Sequence, residues 1–149
     1  MKYDWNNIFL ACSHCNNTKL DRYVGIIDPA EVNPENYIEL ELGVDNELRE
    51  FVFVRKIKGG NDVDITIDLL NAVYNGIKTD IKKYACQQLK NKILHEIIWF
   101  LEKLYEYKQN NIIESKSVIE KMLSSDSVFS AFKRLIVRKD CDFTGKISY

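Results

Sequence analysis

From Tyr37 to Leu42 the chain alternates strictly between apolar and acidic side chains, Y-I-E-L-E-L, which places Ile38, Leu40 and Leu42 on one face of a strand. Gly43-Val44-Asp45-Asn46 supplies turn chemistry and E-F-V-F-V-R-K-I follows as a β-rich run, so the pair reads as a hairpin that ends at Gly59-Gly60-Asn61-Asp62. The period then changes. T-I-D-L-L-N-A-V-Y predicts a short helix broken near Asn75-Gly76. Between Lys78 and Lys108, apolar residues recur at three- and four-residue steps: Ile81, Tyr84, Ala85, Leu89, Ile93, Ile97, Phe100, Leu101 and Leu104. That stripe is expected against a core, with Lys82, Lys83, Lys90, Lys92, Glu96 and Lys103 on the polar face. Further helices are predicted around Ser115–Leu123 and Ser127–Arg138, with Ser124-Ser125-Asp126 offering N-cap chemistry between them. Asp28-Pro29 and Asn33-Pro34 mark an extended connector, because a residue before proline is biased away from helix.

The remaining block, residues 4–23, is polar and aromatic, and it holds the one cluster of metal-capable side chains. Cys12 and Cys15 form C-x-x-C, followed at once by Asn16 and three residues later by Lys19. On a helix near Cys12, these four would occupy adjacent faces. Thiolates suit zinc, which ordinarily wants four donors, whereas a core pair of thiols is the plainer reading. An amide oxygen on Asn16 suits magnesium or manganese, and Lys19 suits a phosphate; a helix-surface amide is the alternative for Asn16. Asn7 reads either as a functional amide or as a turn or N-cap residue. His14 is expected to be exposed or hydrogen-bonded rather than catalytic, with substitution as a zinc ligand the sharper option. His95 is expected to be a satisfied structural histidine near the stripe. Tyr84, Trp99, Phe100, Tyr105 and Tyr107 read as packing rather than as a base-stacking platform. Lys133, Arg134, Arg138 and Lys139 cluster on the last helix, either as a solvated face or as the best phosphate contact in the chain.

Composition narrows the classes. The 149 residues are 46% hydrophobic and 29% charged, which suits one globular domain and excludes wholesale disorder. No apolar run approaches the roughly 20 residues of a membrane span, and M-K-Y-D-W-N-N does not resemble a signal peptide, so a soluble, cytoplasmic protein is expected. The net charge of −1 argues against a free-standing nucleic-acid-binding domain, so any such site is local or shared with another subunit. In a reducing compartment the four cysteines read as one metal or redox pair plus the isolated, buried Cys86 and Cys141.

The run W-N-N-I-F-L-A-C-S-H-C-N-N-T-K resembles the second half of the HNH (ββα-metal) endonuclease motif, in its form W-x-N-L-x-x-x-C-x-x-C-N-x-x-K. I-I-D-P, N-P-E-N-Y-I, I-T-I-D-L-L-N and V-F-S-A-F-K-R-L-I extend the likeness to the HNH nuclease subunit of Septu-type anti-phage systems, also found with some retrons. The resemblance implies that Asn16 binds the catalytic Mg2+ or Mn2+ and that Asn7 has a positioning role. It also implies that Cys12 and Cys15 form half of a structural Zn2+ site. Nothing before Trp5 supplies the general-base histidine, its neighbouring ligand or the partner C-x-x-C, and neither His14 nor His95 occupies that place. The chain thus reads as the C-terminal portion of an HNH protein.

The expectation is an α+β chain: a partial HNH module and connector over residues 1–35, a β-hairpin over 36–60, a helical domain over 61–139 and a flexible tail over 140–149. The expected function is a metal-dependent DNA endonuclease subunit of anti-phage defence, incomplete in this chain. DNA and a Septu-like ATPase are its partners, oligomers are compatible, and Lys19, Lys133, Arg134 and Arg138 are the nucleic-acid contacts. The alternatives are a non-catalytic interaction module that binds the ATPase, and a structural zinc protein with neither role.

Overall fold

The computed structural model describes residues 13–110 and 113–140. In chain order these form α1 (Ser13–Lys19), a 3-10 turn (Pro34–Asn36), β1 (Ile38–Val44), β2 (Glu50–Lys56), α2 (Asn61–Asn75), α3 (Asp80–Asn110), α4 (Ile113–Leu123) and α5 (Ser130–Lys139). The architecture is α+β. β1 and β2 pair antiparallel in a register running from Ile38 opposite Lys56 to Val44 opposite Glu50.

Ile38 is buried, and Leu40 and Leu42 pack inward with it, as the alternation predicts. Glu39 and Glu41 take the other face and meet Arg55 across the ladder. The free edge of β2 is closed by a side chain. The Val52 amide donates to Asn75 Oδ1 at 3.0 Å, and Asn75 Nδ2 donates to the Val52 carbonyl at 2.7 Å. A primary amide can both donate and accept, so Asn75 substitutes for one residue of a third strand and pins the end of α2 to the hairpin.

Three apolar clusters hold the body together. Ile27, Ile38 and Val63 join the connector, the hairpin and α2. Val52, Ile93 and Phe132 join the hairpin, α3 and α5, with Tyr74 meeting Phe132 edge-on at 5.9 Å between ring centres. Phe100, Leu104, Ile119, Met122, Leu123 and Val137 join α3, α4 and α5.

Several expectations are corrected. The stripe on α3 is narrower than its periodicity suggests: Cys86, Ile93, Phe100 and Leu104 are buried, whereas Ile81 is 83% exposed, Tyr84 67% and Leu101 45%. A 31-residue helix is about 46 Å long, more than the hairpin and three shorter helices can cover. His95 is likewise exposed, and the aromatic set divides: Phe100 is buried, but Trp99 and Tyr105 are not. The serine-rich break also works differently. Ser124 Oγ donates back to the Lys121 carbonyl and helps close α4, while α5 begins three residues beyond Ser127. Its N-cap residue is Phe129, in the left-handed region at φ 53°, with no side-chain cap. Among the described residues, no helix is long and apolar enough to cross a membrane.

Candidate functional site

α1 is only seven residues long, and its position is fixed from outside. His14 Nε2 lies 2.8 Å from the Val73 carbonyl, and the Cys86 thiol donates to the same oxygen at 3.2 Å. Val73 stands in the last turn of α2, where carbonyls lack helical partners, so the imidazole and the thiol together satisfy a helix end. Burial pushes the Cys86 thiol above its ordinary pKa, which keeps it a proton donor and an inert thiol. Thr18 is buried and donates to the His14 carbonyl at 2.9 Å. The helix ends at Leu20, left-handed at φ 43°, whose amide returns to the Asn16 carbonyl at 3.0 Å.

This anchoring sets Cys15, Asn16 and Lys19 at the edge of one cleft of about 580 Å3. Ile26, Ile27, Ile38, Leu69, Leu70 and Val73 make its apolar wall, and Glu35 adds a carboxylate. The structure therefore brings together three sequence-predicted site residues, with Asn16 exposed and Cys15 and Lys19 half-buried. Asn7 and Cys12 lie outside the described residues. Among those described, no group of three His, Cys, Asp or Glu side chains could hold a metal ion. One amide and one thiol do not complete a zinc site or a hard-cation site. His14 is hydrogen-bonded, as one of its readings expects, through Nε2 at the Val73 carbonyl.

The basic cluster on α5 is not a uniform solvated face: Lys133 and Arg134 are enclosed, whereas Arg138 and Lys139 are about half exposed, and all four meet carboxylates. Lys133 is 1% exposed, with its ammonium 2.7 Å from Glu96 Oε2 and 3.3 Å from Ser127 Oγ. Arg134 and Arg138 converge on Glu35: Arg134 Nε donates to Oε1 at 2.7 Å and Arg138 Nη2 to Oε2 at 2.6 Å. Arg134 also donates to the Leu123 carbonyl at 2.6 Å, closing the end of α4. Lys139 meets Glu41 at 2.9 Å. The hydrogen bonds from Lys139 and then Arg55 hold the Glu41 carboxyl below the usual glutamate range. A buried ammonium needs a fixed counter-charge, and bidentate-capable guanidinium groups favour carboxylates, so α5 spends its charge docking onto the connector and β1. The sequence did carry a signal: Glu35, Glu39 and Glu41 lie in the segment that α5 covers.

No family model matches the chain, and no curated protein or solved structure matches it either.

Proposed function

We propose that this chain is a subunit of an HNH-type, metal-dependent DNA endonuclease of bacterial anti-phage defence, with the catalytic half incomplete within these 149 residues. The observation that supports it is the placement of Cys15, Asn16 and Lys19 on one short, anchored helix at the mouth of one cleft. In that reading, Asn16 presents its amide oxygen to a divalent cation (Mg2+ or Mn2+), whose chemistry is stabilisation of charge on the phosphate during hydrolysis. Lys19 offers an ammonium to the same phosphate, and Cys15 with Cys12 contributes half of a zinc site. The general base and the remaining ligands come from outside the described residues. The protein acts in the cytoplasm, and a Septu-like ATPase is its partner.

A second reading, a non-catalytic module that binds the ATPase, is favoured by the distal half of α3, where Ile98, Leu101 and Tyr105 are exposed together. A plasmid-nicking assay separates the two. The 149-residue chain is expected not to cut with Mg2+ or Mn2+. Joined at its N-terminus to a hairpin bearing a histidine and C-x-x-C, it is expected to nick DNA, and Asn16→Ala is expected to abolish the nicking. A folded, zinc-loaded extended protein without activity would favour the interaction module.

A further inference from the structure

Among the described residues, ten of the cations take part in ion pairs, and these include every cation of α5. Lys78, Lys82, Lys83 and Lys92, on the entry and first four turns of α3, take part in none. Lys83 and Lys92 are exposed and flank a face that carries Tyr84, Gln88 and His95, all exposed. Counting 100° per residue, Tyr84, Gln88 and His95 fall within one narrow sector, Lys92 lies on one side of it and Lys83 on the other. Between Asp80 and Glu102 the helix has a single acid, Glu96, and that carboxylate is consumed by Lys133. Towards the middle of α3 the same side presents Trp99, 47% exposed.

We propose that this face of α3, from Ile81 to Trp99, is the surface on which the nucleic-acid backbone lies. The proposal rests on the nuclease reading and supplies the DNA contact that α5 does not. The face spans about 27 Å, and its unpaired ammonium groups can replace counterions on the phosphates. Gln88 and His95 add hydrogen-bond donors, and Tyr84 and Trp99 add flat surfaces for splayed bases or sugars. An acidic protein partner would be served by the lysines alone. The aromatic and amide groups between them favour nucleic acid.

The test is fluorescence anisotropy of a labelled 20-base-pair duplex with the full chain, repeated across salt concentrations without divalent metal. Two phosphate contacts, from Lys83 and Lys92, predict a slope of log K against log salt of about −1.8, or roughly a tenfold loss of affinity from 50 to 200 mM salt. Lys83→Ala with Lys92→Ala is expected to make the slope shallower by about 1.8, and Lys121→Ala on α4 to leave it unchanged. Circular dichroism checks that the variants fold; exposed lysines without partners leave folding intact. Three results would overturn the assignment: no binding by the parent chain, an unchanged slope in the α3 pair, or equal affinity for polyglutamate of matched charge. Because no metal is present, this outcome is read separately from nicking. Binding through α3 without nicking in the extended protein removes the nuclease reading and keeps the surface, while nicking without an α3 effect does the reverse.

Discussion

On α5, Lys133, Arg134, Arg138 and Lys139 each meet a carboxylate, whereas on α3 Lys82, Lys83 and Lys92 meet none among the described residues. In the sequence both runs look alike, and the α5 run is the denser. The difference lies in what each helix packs against. α5 covers the connector and β1, which carry Glu35, Glu39 and Glu41. The first turns of α3 pack on α2 only along the side of Cys86, and their outer side, with Ile81, Lys83 and Tyr84, is exposed. A cation used to dock one element on another is lost to recognition, since moving it would break the fold; an unpaired cation costs the fold little to lend. Charge presented, not charge counted, decides which surface can meet a polyanion.

Removing a partner on the α5 side should therefore cost stability. Glu96→Ala strands the Lys133 ammonium in a site 1% exposed and is expected to lower unfolding free energy by about 3 kcal/mol in urea denaturation. A loss below about 0.5 kcal/mol would mean that the ammonium is rehydrated and the α5 cluster is not committed to the fold. Glu35→Ala releases two arginines from one carboxylate. Arg138 is 43% exposed and Arg134 keeps the Leu123 carbonyl, so about 1–2 kcal/mol is expected by the same measurement. Acid should act in the same direction. Glu41 has its carboxyl pKa lowered by Lys139 and Arg55, so its contribution is present above the ordinary glutamate range and fades as pH falls through the lowered value. Melting temperatures followed from neutral to acid pH should fall, and Glu41→Gln should flatten that fall. At the small end, Lys83→Ala and Lys92→Ala should each move stability by less than about 0.5 kcal/mol.

The hairpin was legible in the sequence because a two-residue period over Tyr37–Leu42 admits one arrangement. The helices were legible as helices. What the 3.6-residue period cannot tell is how much of a long helix the body covers, which is why Ile81 and Tyr84 were expected inside and stand outside. The spacing of Cys15, Asn16 and Lys19 survives folding as one edge of a cleft, since residues this close on a single helix stay together whatever α1 packs against. His14 on the Val73 carbonyl was not legible, nor was Lys133 on Glu96. Their partners stand 59 and 37 residues away, and no local pattern encodes a contact across that separation.

Lysine acylation in the native protein, read by mass spectrometry with and without duplex DNA, tests both helices at once. Lys83 and Lys92 are expected to react quickly and to be shielded by DNA, while Lys133 stays unmodified under both conditions. Rapid modification of Lys133, or α3 lysines that react equally with and without DNA, would contradict the division of labour between α5 and α3.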